Sequence, residues 1–244
     1  MSLGTIIQLV LRLLNVATSS RVLLIALVTW CISSVSKMNG DEMSYIPAGS
    51  YLMGADTHLP DERPAHFVFI SALYCDKYEI SLSFWEEVAQ WALANGYAFD
   101  SRVRTAKNGP SYSLAPMQHP MNMVTWYDVV KWCNARTEKE GRTPVYYVDT
   151  EFTQVYRKGD LNLSNDHVNW FSSGYRLPTE TEWEKAARGG LVGTKYPWVG
   201  SVDGSRGNYR LSGDPFDNGS TPVGYFNGNQ LITTTKTGTP DTNV

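Results

Sequence analysis

Apolar positions along the chain switch between a period of two and a period near 3.6, and the switches mark the elements. Ser44 to Gly54 alternates apolar and small residues around Pro47-Ala48-Gly49, which predicts a hairpin of two short strands. His66 to Tyr74 is rich in β-formers and predicts a strand pair. A helix follows, with Ser83 as cap and Glu86 three residues on. Phe84, Val88, Trp91 and Ala92 share one face, and Gly96 closes it. A second helix starts at the cap Thr125 with Asp128 in the third position. It carries Val129, Trp132, Cys133 and Arg136 on one face and ends at Gly141. Val145–Val148 and Phe152–Tyr156 predict short strands. A third helix has a capping box of Thr179 and Glu182, turns Trp183, Ala186 and Ala187 inward, and stops at Gly189-Gly190. From Lys195 onward turn-forming residues dominate. Short strands mixed with helices of about a dozen residues predict an α+β class.

The N-terminus departs from this pattern. Val22 to Ile32 is an apolar run behind Arg21, too short to span a bilayer on its own but of the length of a signal-peptide core. Ser34 and Ser36 place small residues before a cut at Lys37, and an uncleaved anchor is the alternative. Residues 1–36 hold two arginines and no acid, which leaves 19 basic and 24 acidic groups among the other 208 residues. The segment is therefore expected to direct export, periplasmic, secreted or anchored, with membrane contact through it alone.

Composition narrows the function classes. The chain is 42% hydrophobic and 18% charged, which excludes a disordered polyampholyte. No basic stripe points to nucleic acid. Cys31, Cys75 and Cys133 make neither a disulfide framework nor a zinc-type pair. His58, His66, His119 and His167 lie far apart without metal-ligand spacing, so structural hydrogen bonding is the expected role of His66 and His119. Arg176 is expected to pair with Glu180, Glu182 or Glu184, and Trp126 and Trp183 to anchor their helices against a sheet.

Three segments carry a resemblance. They are Ile46-Pro-Ala-Gly-Ser-Tyr-Leu-Met-Gly54 with Asp61 to His66 and Tyr74 to Ile80; His119 to Asp128 running to Trp132-Cys133; and Gly174-Tyr-Arg-Leu-Pro-Thr-Glu-Thr-Glu-Trp-Glu184 running to Gly190, followed by Tyr196-Pro-Trp198. Together they resemble the formylglycine-generating enzyme family, also called sulfatase-modifying factors. The resemblance implies a modified C-type-lectin-like fold with little regular secondary structure. It divides the chain into residues 1–36 as signal or anchor, 43–230 as the family domain and 231–244 as a loop-like tail.

The family oxidises a cysteine of a sulfatase with molecular oxygen, using a copper-holding cysteine pair near its C-terminus. That pair and the strings around it are absent here, so the resemblance implies a C-terminally truncated member. No catalytic residue can be carried over, and copper would need a longer chain. The family also holds calcium through an Asn side chain, the next carbonyl, an Asp and a carbonyl two residues later. Asn208, Tyr209, Asp214 and Phe216 fit that spacing loosely, with an ordinary turn as the alternative. Two functions of different class remain: an exported oxidase acting on a sulfatase or another protein or peptide, and a non-catalytic module that binds a ligand or a protein.

Overall fold

The structure is a computed structural model, and it describes residues 43–56, 60–100, 118–210, 212–216 and 219–227. The expected signal or anchor at 1–36 and the tail at 231–244 lie outside the described residues.

Strand β1 (Met43–Ile46) pairs antiparallel with β4 (Leu73–Asp76), and β2 (Gly49–Met53) pairs antiparallel with β3 (His66–Ile70). The strands are where the alternation put them, but the expected β1–β2 hairpin and β3–β4 pair do not form. Both ribbons share one register: Ile46 faces Leu73, and Gly49 faces Ile70. They are two halves of one long antiparallel arm, broken where Pro47-Ala48 runs beside Ser71-Ala72. Pro47 has no N–H to give to a ladder, which accounts for a break at that place. At the arm's tip Ala55 N–H donates to the Glu62 carbonyl at 3.0 Å. Gly54 sits there at φ 76, and a Cβ would stand 2.4 Å from the Glu62 oxygen, so the turn requires glycine.

Helix α1 spans Leu82–Ala94, α2 Trp126–Lys139 and α3 Glu180–Arg188. Thr125 and Thr179 cap as expected, and Thr179 with Glu182 forms the full capping box. The cap of α1 is Ser81, not Ser83. Ser81 is extended, bridges to Pro120 and accepts from Phe84 N–H at 3.3 Å, while Ser83 lies inside the first turn. Gly96, Gly141 and Gly189 follow the helices in the left-handed region, which ends each one as expected.

The core lies between α1 and α2. Trp85 and Trp132 stack at 5.3 Å with rings 6° apart, and Phe84 meets Trp132 edge-on at 5.5 Å. Val88, Ala89 and Ala92 of α1 and Val130 and Ala135 of α2 fill the space around them. Segment 142–173 closes the far side with Val145, Tyr146, Tyr156 and Val168. The expected strands there reduce to single bridges, Tyr146 to Val168 and Tyr147 to Val155. The reason is Asn134, fully buried on α2. Its Oδ1 accepts from Val145 and Tyr146 N–H at 3.0 Å each, and its Nδ2 donates to the carbonyls of Tyr146 at 2.7 Å and Tyr156 at 3.2 Å. One side chain thus takes backbone groups that a ladder would use.

Helix α3 corrects a further expectation. None of its residues is buried, and Trp183 is 64% exposed; Trp126, in α2, is 46% exposed. Neither tryptophan anchors its helix to a sheet. The helix docks on β2 through polar groups instead. Lys185 Nζ donates to the carbonyls of Pro47 and Gly49, Tyr51 OH donates to the Thr181 carbonyl, and Glu184 accepts from Gly54 N–H. No helix among the described residues is long and apolar enough to cross a membrane.

Candidate functional site

The stretch after α3 is built from turns held by side chains. Asp214 is 7% exposed. Its carboxylate accepts from Phe216 N–H at 2.7 Å and from the Ser212 hydroxyl. Ser212 N–H in turn donates to the Tyr209 carbonyl at 2.9 Å. Asn208 Nδ2 donates to the Gly219 carbonyl at 2.7 Å, and Gly219 N–H returns to the Phe216 carbonyl at 2.9 Å. Asn208, Tyr209, Asp214 and Phe216 therefore belong to one hydrogen-bonded loop cluster. Phe216 seats it, with its ring edge-on to Tyr225 at 5.0 Å and to His119 at 6.0 Å. His119 Nδ1 shares a 2.8 Å bond with Ser220 Oγ, the structural role expected of that histidine.

The donor set of this cluster is a carboxylate, an amide and two carbonyls, all hard oxygens of the kind Ca²⁺ takes. Asp214 is buried and forms no ion pair among the described residues; the Phe216 N–H and the Ser212 hydroxyl satisfy its carboxylate. Among the described residues no group of three or more His, Cys, Asp or Glu could hold a metal.

The thiols sit elsewhere. Cys133 is buried on α2, and burial pushes its thiol up to about 12. Cys75 lies in β4; burial, and then the Asp76 carboxylate, also push its thiol up. Both cysteines are free. A thiol held in its neutral form is a poor nucleophile and a poor ligand for a soft metal. Cys31 lies outside the described residues.

Of the three carboxylates proposed for Arg176, Glu182 is the partner. The guanidinium donates to both its oxygens at 2.6 and 2.7 Å. Glu182 Oε2 also accepts from Thr179 N–H at 2.8 Å, so one carboxylate ties the Arg176 segment to the start of α3. The Arg176 bonds, and with them the Thr179 N–H, hold its carboxyl below the usual range.

A concavity escaped the sequence reasoning. It lies on segment 142–173, where Phe152, Trp170 and Phe171 meet Thr150, Asn165 and Asp166. The signal available was the density of aromatic residues between Phe152 and Phe171, but no motif marked it.

Residues 31–233 match the sulfatase-modifying factor enzyme 1-like domain. The chain is 29% identical over 177 residues to the chaperone protein LppX of Paenibacillus barcinonensis, across 70% of this chain and 54% of that protein. It is 31% identical over 170 residues to the formylglycine-generating enzyme of Bos taurus, across 64% of this chain and 42% of the enzyme. It is 28% identical over 183 residues to the inactive C-alpha-formylglycine-generating enzyme 2 of Mus musculus, across 68% of this chain and 53% of that protein. The chain spans about half the length of these curated relatives.

Proposed function

The chain belongs to the sulfatase-modifying factor enzyme 1-like domain family, and we propose that within it this stretch holds a protein or peptide ligand and does not supply oxidising thiols. The state of its cysteines carries this reading. Cys133 is enclosed in the core with its thiol pushed up to about 12, and Cys75, on a separate element, is raised as well. A copper-holding pair needs two adjacent thiolates, and these two residues are neither paired nor inclined to ionise. The relatives are compatible with ligand holding, because their names include a chaperone protein and an inactive member beside the formylglycine-generating enzyme.

The second reading is oxidation of a cysteine in a sulfatase-type substrate, supported by the similarity to the Bos taurus enzyme. One experiment separates the two. The 244-residue chain is loaded with Cu(I) and given a cysteine-containing peptide of sulfatase type while oxygen uptake and peptide binding are followed. Peptide binding without oxygen uptake supports the ligand-holding reading. Copper-dependent oxygen uptake by this chain overturns it.

Two further parts belong to the same proposal. The acid-free, apolar N-terminal segment supports export, which N-terminal sequencing of fractionated cells tests. The Asn208, Tyr209, Asp214 and Phe216 cluster supports a structural Ca²⁺, in which the ion would hold the loop and take no part in chemistry.

A further inference from the structure

The concavity on segment 142–173 has a volume of about 540 Å³. Phe171 is 100% exposed and Trp170 is 47% exposed, a poor arrangement for rings whose only task is packing. The Trp170 ring and the Phe171 backbone are each tied by a hydrogen bond. Trp170 Nε1 donates to the Asn165 carbonyl at 3.3 Å, and Phe171 N–H donates to Asn169 Oδ1 at 3.2 Å.

Phe152 is presented by a turn that Asp149 organises. Asp149 accepts from Thr153 N–H at 2.9 Å and from Gln154 N–H at 2.7 Å, and Phe152 adopts φ 57, a conformation uncommon outside glycine. The Phe152 ring rests against Tyr147 at 5.3 Å. Phe152 and Trp170 are thus positioned by contacts within the segment, while the Phe171 ring projects into solvent beside them.

The polar part of the lining is oxygen-rich. Thr150, Asn165 and Asp166 each bring a side-chain oxygen, and the Asp166 carboxylate makes no hydrogen bond or ion pair among the described residues. Arg176 lies over the Trp170 ring at 5.0 Å, but its charge is already matched by both oxygens of Glu182. Aromatic faces beside an unmatched carboxylate favour a cation. Thr150, Asn165 and Asp166 offer oxygen acceptors to the three donors of an ammonium group. We propose that this pocket takes the alkylammonium end of a lysine side chain presented by a partner polypeptide. The assignment rests on the ligand-holding reading above and adds to it the chemistry of the residue recognised.

Calorimetric titration of the full chain with two capped pentapeptides tests it. One has a central lysine; the other has norleucine, which keeps the alkyl chain and lacks the charge. The lysine peptide should bind roughly tenfold more tightly than the norleucine peptide. Asp166→Asn and Phe171→Ala should each lower lysine-peptide affinity about fivefold while leaving the melting temperature unchanged. Equal affinity for the two peptides overturns the proposal, as does an Asp166→Asn protein that binds lysine unchanged. If lysine selectivity is absent while the sulfatase-type peptide still binds, the pocket assignment falls and the ligand-holding reading stands.

Discussion

Removing the charge of Asp76 tests the account of how the arm and the helical core are joined. Arg136 is 1% exposed, on α2. Its guanidinium donates to the two Asp76 oxygens at 2.7 and 3.1 Å, and Nε donates to Glu140 at 3.4 Å. It lies 3.7 Å over the Tyr175 ring and 5.0 Å over Phe84. Burial opposes its charge, and the bonds to Asp76 outweigh that, so its pKa is raised. Asp76→Asn leaves the cation enclosed with Glu140 as its remaining carboxylate in that bonded set. Breaking a buried pair from one side costs about 3–5 kcal/mol. Because the Asp76 side chain is 24% exposed, the lower end applies, about 3 kcal/mol. With an m-value of about 3 kcal/mol/M, the urea midpoint should fall by about 1 M. Asp76→Asn combined with Arg136→Met should recover most of that loss, because an apolar side chain of similar volume suits the site once no charge needs matching. A midpoint shift under about 0.3 M for the single variant, or a double variant as weak as the two losses added, refutes the reasoning.

Three further outcomes are expected. Glu182→Gln should cost about 2 kcal/mol, since it weakens two charge-assisted bonds to Arg176 and one end of the capping box. The folded-state pKa of Glu182 is depressed, so its contribution is complete above the unfolded value near 4.5 and is lost as pH falls through the folded value. Acid melts of the variant should therefore be flatter than wild type below that pH. In a Cys31→Ser background at pH 8, a thiol reagent should leave Cys133 unmodified until urea unfolds the chain; labelling of native Cys133 at the rate of a free thiol would contradict its burial. Calcium at a hundredfold excess over its Kd should stabilise the chain by about 2.7 kcal/mol, raising the Tm by roughly 5–10 °C. Asp214→Ala should abolish the rise, and equal melting in calcium and in chelator would remove the ion from the account.

What the sequence disclosed divides by range. Thr125, Thr179 and the closing glycines act on backbone groups within a turn of themselves, so their roles could be read locally. The α1 cap could not: Ser81 and Ser83 are chemically equal, and the choice rests on Ser81 bridging Pro120, far along the chain. The arm shows the same limit. Alternation marked all four strands, but the partner of each was set by a register running through both ribbons, which no local pattern contains. Asn134 is the extreme case, a residue of weak helix preference in mid-helix whose side chain arranges the backbone of a segment beyond its own helix.

Helix α3 shows why periodicity misassigned a face. Its apolar residues have helical spacing, yet Glu184, Lys185 and Arg188 make the attachments to the arm, the last through Gly54 O at 3.1 Å. Hydrophobic spacing predicts the buried face only when burial of apolar area dominates docking. Here the arm offers carbonyls at Pro47 and Gly49 and an N–H at Gly54, at the two ends of β2 where the ribbon ladder stops, and charged side chains satisfy them. The Pro47 break in the arm and the polar docking of α3 are thus one feature. Backbone groups released at the break and at the tip become the sites that hold the helix, which leaves Trp183 on the outside.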